Sequence, residues 1–191
     1  MSKILSRRST LKILASAIAM TPFYTSANKS LYSYSWQSSA LGNQVDMQIF
    51  TKNKNHLEKL IILIDSEINR FNKIFYLQDA SSKINLLNKH KVLIKPDIEL
   101  LDAINLSEKL YLLSNGSFDI TIQPLWNSYS SGQKINTDGI GFNNIDINSK
   151  KISLLNKNTE ITLNALAQGI LTDRIHNILL NSGIKNHLIN F

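Results

Sequence analysis

The sequence predicts an α+β domain, with a mixed or antiparallel sheet and helices packed against it. Three observations lead there. Apolar residues alternate near both ends of the stretch from Asn28 onward, and they recur at helical spacing in three separate segments between. A chain of 191 residues, 43% of them hydrophobic, can also bury one real core but not comfortably two. With only 7 Gly and 3 Pro, a disordered or fibrous chain is disfavoured.

The first segment reads as an address. Ser6-Arg7-Arg8-Ser9-Thr10-Leu11-Lys12 precedes a short apolar run from Ile13 to Met20, and Thr25-Ser26-Ala27 offers the small residues that signal peptidase accepts. Paired arginines point to the twin-arginine route rather than an ordinary secretory signal. The run is too short and too rich in Ala and Ser to span a bilayer permanently. The expectation is a signal peptide over 1–27, a mature domain over 28–191, a periplasmic location and no transmembrane anchor.

Tyr32 to Phe50 alternates in part and predicts one or two strands turning at Gly42-Asn43. Leu57, Leu60, Ile61, Ile64, Ile68, Phe71 and Phe75 keep helical spacing, so a helix is expected from His56 to Phe75 with Asn55 as its N-cap. Ser81-Ser82 with Asn85 and Asn88 read as a cap and a turn, and Val92-Leu93-Ile94 as a short buried strand. Pro96 at the first helical position opens a second helix that stops at Asn115-Gly116. Ser, Gly and Asn from Asn127 to Asn148 suggest a long surface excursion. Ile152–Leu155 and Glu160–Leu163 look like a hairpin. A third helix runs from Ala165 to about Asn181, and His187–Phe191 reads as a strand.

Charge and composition exclude several functions. The net charge is +7, and four of the basic residues (Lys3, Arg7, Arg8 and Lys12) fall in the first twelve positions. Elsewhere lysines alternate with acids, and the longest basic cluster is Lys89-His90-Lys91, so a solvated face is preferred to nucleic-acid binding. With no cysteine, disulfides, thiolate metal sites and a cysteine nucleophile are ruled out. His56, His90, His176 and His187 show no H-x-x-H or H-E-x-x-H spacing, which argues against a histidine-based metal site. Neither a G-x-S-x-G elbow nor a G-x-x-x-x-G-K-[ST] loop occurs.

Two segments carry candidate chemistry. In Gly116-Ser117-Phe118-Asp119-Ile120-Thr121-Ile122-Gln123-Pro124-Leu125-Trp126, Gly116 permits a positive-φ turn and Phe118 offers a flat apolar surface. If the segment is extended, Asp119 and Thr121 share the face opposite Phe118. Such a loop suits a ligand that combines a ring with a phosphate, although a plain turn and edge strand explain it as well. In Thr162-Leu163-Asn164-Ala165-Leu166-Ala167-Gln168-Gly169 a helix begins, with Asn164 as N-cap. Its free amides and partial positive charge favour an anion.

The order of these segments, from Ala40-Leu41-Gly42 through Ser82 to Asn88, Gly116 to Trp126, Thr162 to Gly169 and Thr172-Asp173-Arg174, resembles the FAD:protein FMN transferase family. It is most similar to that family's twin-arginine-exported branch associated with nitrous-oxide reduction. The resemblance implies binding of FAD and Mg²⁺, and transfer of FMN through its phosphate to a threonine of a partner flavoprotein in the membrane or periplasm, with AMP released. It implies FAD contacts at Leu41 (a methionine in most members), at Ser117, Phe118 and Asp119, at Thr162 (commonly Asp) and at Gln168 (commonly Lys). The carbonyl of Ala165 would face Mg²⁺, and Gln78 stands where a tyrosine is frequent.

Family members continue past the strand equivalent to His187–Phe191 into a Gly-Gly turn and segments with further Mg²⁺ ligands. The expectation is therefore a C-terminally truncated domain that does not transfer FMN by itself. Three alternatives stand: a transferase completed elsewhere, a non-catalytic flavin-binding accessory, or an inactive fragment.

Overall fold

The computed structural model describes residues 31–52, 57–135 and 137–191. The segment 1–27 read as a signal peptide, and Asn55 and His56 at the expected start of the first helix, lie outside these residues. The unit from Tyr32 to Phe191 runs β1 (Tyr32–Ala40), β2 (Asn43–Thr51), α1 (Leu57–Phe75), α2 (Lys83–His90), β3 (Val92–Ile94) and α3 (Ile98–Leu113). There follow α4 (Gln123–Ser131), a 3₁₀ turn (Phe142–Asn144), β4 (Ile145–Asn148), β5 (Lys151–Leu154), α5 (Asn164–Asn181) and β6 (Asn186–Asn190). The α+β class holds, with two antiparallel three-stranded sheets ordered β1-β2-β6 and β3-β5-β4.

The β1–β2 hairpin closes on Leu41 and Gly42, which have φ of 53° and 82°. Two successive positive φ values match the twist of the flanking strands. A leucine there is uncommon, and Asn72 of α1 secures it by accepting from the Leu41 amide at 2.8 Å. A Cβ on Gly42 would stand 2.9 Å from the Tyr76 ring. The turn is thus seated against α1.

Alternation in β2 turns Val45, Met47 and Ile49 inward. They share one core with Ile64, Ile68, Phe71 and Phe75 of α1 and Leu171, Ile175 and Leu179 of α5. Full burial of such side chains contributes roughly 1.5–3 kcal/mol each. At the polar margin, Glu67 of α1 accepts from Arg70 at 2.8 Å and from Arg174 of α5 at 2.7 Å. Arg70 also reaches Glu99 of α3 at 2.7 Å. The Arg70 hydrogen bond holds the Glu67 carboxyl below its ordinary range against the upward push of burial, and Arg174 adds to the lowering.

Several local expectations need correction. The second helix starts at Ile98 with Asp97 as N-cap, two residues after Pro96, because the ring fixes the approach while Asp97 is still extended. In β3 only Leu93 is buried, and Val92 and Ile94 are exposed on the strand's outer side. Asn127 to Asn148 is no single excursion, since α4 takes its start and β4 its end. Glu160–Leu163 does not pair with β5. β5 is already flanked by β3 and β4, and Glu160 instead bridges Ile122 in parallel.

Candidate functional site

The site is built on the loop that leaves α3. Asn115 and Gly116 take φ of 51° and 81°, and the Gly116 amide returns to the carbonyl of Tyr111 at 2.8 Å, ending the helix. The Phe118 amide then donates to Ser114 Oγ at 2.9 Å. Asp119 Oδ1 accepts from both the amide and the hydroxyl of Thr121, at 2.8 and 2.7 Å. This is a turn held by its own side chains. The extended reading of the segment, with Asp119 and Thr121 presented on one face, is overturned: Asp119 folds back onto Thr121, which is wholly buried. From Gln123 onward, with Pro124 in the first turn, the chain is α4.

Buried Thr121 is a hub, because its hydroxyl also accepts from the Gly141 amide at 2.7 Å. Beside it runs the strand-like stretch 160–162. The Thr162 amide donates to Ile120 O at 2.8 Å. On the other side, buried Asn88 of α2 makes two bonds to Ile161, from Nδ2 to the carbonyl at 2.9 Å and from the amide to Oδ1 at 2.8 Å. A single side chain thereby replaces a missing strand neighbour. The N-cap of α2 is Ser82, as expected, whose hydroxyl accepts from the Asn85 amide, while Asn85 Nδ2 donates to Leu77 O at 2.6 Å and Asp79 O at 2.7 Å.

Farther back, Gly139 (φ 90°) passes so close to the 156–160 turn that a Cβ would stand 2.7 Å from the Thr159 nitrogen. The Thr159 hydroxyl donates to Gly139 O at 2.7 Å, and Asp138 accepts from Asn156 and Asn158.

These supports bring two predicted segments to one crevice of about 650 Å³. Ser117, Phe118 and Asp119 line it from the loop, and Thr162 and Ala165 from the start of α5. The N-cap of α5 is Leu163, not Asn164, which is the first helical residue; Leu163 offers no side-chain cap, and the Asn164 amide reaches only Thr162 Oγ1 at 3.4 Å. The Leu166 and Ala167 amides already return to Leu163 O at 2.9 and 2.8 Å, so the helix mouth at the crevice is formed by Asn164 and Ala165. Leu41 and Gln168 lie apart, in a cavity of about 100 Å³ with Asn43 and Asn164. Asn164 borders both spaces.

Sequence reasoning did not single out Leu77, Ile122, Gln123 and Trp126 as lining residues. The missed signal was Pro124, which marks the first turn of a helix and sets Gln123 and Trp126 one turn apart on the same side. Phe118, Ile120, Ile122 and Trp126 make the crevice apolar on one part of its wall, while Gln78, Ser117, Thr162 and Asn164 make it polar on another. Asp119 is the one charged residue among those lining it.

A resident Mg²⁺ is commonly held by one or two carboxylates together with phosphates and waters. Asp119 supplies one carboxylate, and its Oδ1 is already engaged twice. Among the described residues no three His, Cys, Asp or Glu side chains gather where they could hold a metal ion. The described residues do not by themselves fit that ion.

Residues 41–191 match the sequence profile described as the ApbE family. Three solved structures share the fold. The flavin transferase ApbE of Vibrio cholerae has a TM-score of 0.75 at 17% identity, with 84% of this chain and 57% of that one covered. The Pseudomonas stutzeri flavinyl transferase ApbE, apo form, has 0.75 at 14%, with 87% and 60% covered. The apbe protein of Thermotoga maritima has 0.71 at 19%, with 83% and 56% covered. The chain thus spans less than two thirds of the length of these proteins. No curated protein matches it.

Proposed function

The chain belongs to the ApbE family, and from that membership we propose that its crevice receives FAD and that the protein serves transfer of FMN to a partner flavoprotein. In this reading a threonine hydroxyl of the partner attacks the phosphorus of the FMN half. The anhydride bond to the adenylate breaks, AMP leaves with that oxygen, and the hydroxyl proton passes to solvent. The observation that carries the reading is the meeting of Ser117, Phe118 and Asp119 with Thr162 and the start of α5 in one crevice.

The roles follow from chemistry. Phe118 and Trp126, which both line the crevice, offer faces for a flat ring system. The opening amides of α5 suit a phosphate oxygen. Ser117, Gln78 and Thr162 are neutral hydrogen-bonding groups for polar edges. Leu41 and Gln168, in the adjoining cavity, are assigned to the part of the nucleotide that passes Asn164. The carbonyl of Ala165 would face Mg²⁺ only together with ligands that the described residues do not supply. Export by the twin-arginine route to the periplasm, and an acceptor there or in the membrane, belong to the same proposal.

A second reading, binding without cleavage, is favoured by one observation. Thr162 and Gln168 leave the crevice and its neighbour with no charge except that of Asp119. One experiment separates the readings. The purified chain is titrated with FAD by flavin fluorescence, then incubated with FAD, Mg²⁺ and a threonine-bearing acceptor. Covalent flavin on the acceptor supports transfer. Saturable binding with intact FAD supports the accessory reading. If FAD does not bind, or binds equally to the chain carrying Phe118→Ala, both fail.

A further inference from the structure

Away from the crevice, α5 and β6 bring two histidines together. The register of β6 against β2 pairs His187 with Ile49 and Ile189 with Met47, so His187 shares the inward face of the sheet at its margin. His176 lies on the exposed side of α5. Their rings meet with Nδ1 of His176 and Nε2 of His187 2.8 Å apart, ring centroids 4.9 Å apart and planes inclined by 54°. The other nitrogen of His187 is buried and faces the backbone of Ile184. The pair borders an open cavity of about 390 Å³ that Asp173, one turn before His176, and Lys185 also line.

We propose that His176 and His187 form a two-histidine site for a divalent transition-metal ion, Cu²⁺ above all. The geometry points to a chelate. A metal about 2.0–2.1 Å from each imidazole nitrogen needs those nitrogens about 2.9 Å apart at a right-angled bite and about 3.4 Å apart at a tetrahedral one. The observed 2.8 Å is the length of a ring N–H···N hydrogen bond, in which the two nitrogens face each other. It lies close to the first value, and turning the exposed His176 ring aims both nitrogens at one point beside that line. Square-planar nitrogen and oxygen sets select Cu²⁺ or Ni²⁺, and Cu²⁺ heads the affinity order for a given site. Each ring enters neutral: the proton now held between the rings moves to the far nitrogen of its own imidazole, and no net proton is lost.

Among the described residues no third His, Cys, Asp or Glu completes the set, so water fills the remaining positions from the open cavity. Asp173 and Lys185 oppose each other in sign there and leave the local field near neutral. The spacing of the histidines in the chain argued against such a site. Eleven residues separate them, and only the packing of β6 beside α5 closes that interval.

The test is a titration of the full chain with Cu²⁺, followed by electron paramagnetic resonance. One equivalent with two equatorial imidazole nitrogens is expected. His176→Gln and His187→Gln should each weaken binding at least roughly tenfold, since even residues that merely orient a ligand cost that much, and His90→Gln should leave it unchanged. Saturating Cu²⁺, at about a hundredfold excess over Kd, should shift the folding equilibrium ~100-fold and raise Tm by roughly 5 °C. Because His176 is exposed, its glutamine variant keeps the fold. A site that survives both substitutions, or a spectrum with one imidazole, overturns the proposal.

Discussion

The two parts of α5 do different work. Midway along the helix, Arg174 reaches Glu67, and through Arg70 and Glu99 the pairing continues across α1 and α3. At the first turn, around Asn164 and Ala165, the crevice lining contains no ion pair. Its loops are held by neutral bonds from Asn88 and Thr121 and by the turn-internal carboxylate of Asp119. The scaffold uses paired charge, and the crevice keeps its surroundings nearly uncharged. An anionic ligand then meets little fixed negative charge and no lysine, so helix amides and flat side chains must supply recognition.

Because buried neutral bonds hold much of the crevice wall, removing one should be costly. Asn88→Ala leaves the amide and carbonyl of Ile161 without partners in the interior, each costing about 1–3 kcal/mol. A loss of about 3 kcal/mol in urea unfolding is expected, and a loss well under 1 kcal/mol would show that Ile161 finds other partners. Next comes the ligand side. Phe118→Ala should weaken FAD binding about tenfold, near 1.4 kcal/mol, in a fluorescence titration, with a smaller change in urea midpoint than Asn88→Ala.

Acid should separate the two regions. The folded-state carboxyl of Glu67 lies below its usual value of 4.5, so the paired state contributes stability above that pH and loses it as pH falls through the lowered value. Glu67→Gln should cost about 1 kcal/mol at neutral pH, given partial exposure of its arginine partners. It should also flatten the stability profile below pH 4.5. An unchanged profile would show that this network contributes nothing. The smallest effect is expected at Gln168→Lys: roughly a two- to threefold gain in FAD affinity at low salt, fading as salt screens the new charge.

Much of the fold was legible, and for a simple reason. Helix α1 announces itself through its apolar period, and β2 through the alternation of Val45, Met47 and Ile49, so Ile64, Phe71 and Val45 point where the pattern sends them. Short elements were less readable. α4 carries three Ser and buries only Ser128, leaving no apolar stripe to read, and Pro124 was its one marker. Glu160–Leu163 has the alternation of a strand, but its neighbours are a side chain and a bridge, which no local pattern encodes.

The site was legible in its segments and not in its walls. Phe118 and Thr162 stood out by the motifs around them. Leu77 and Ile122 enter only because the chain between Gly116 and Trp126 turns instead of extending, a result of Asp119 bonding to Thr121. The pairing of His176 with His187 was invisible for a related reason: it depends on strand register, not on spacing.

The close passage at Gly139 has its own outcome. A single methyl there would wedge the 137–141 loop from the 156–160 turn, at a backbone angle that side chains rarely adopt. Because Thr159 and Asp138 also tie the two stretches, they should breathe as one body. Amide exchange would then record a common opening rate for both, and the stretch leading to Thr162 would inherit its rhythm from a loop that does not itself line the crevice.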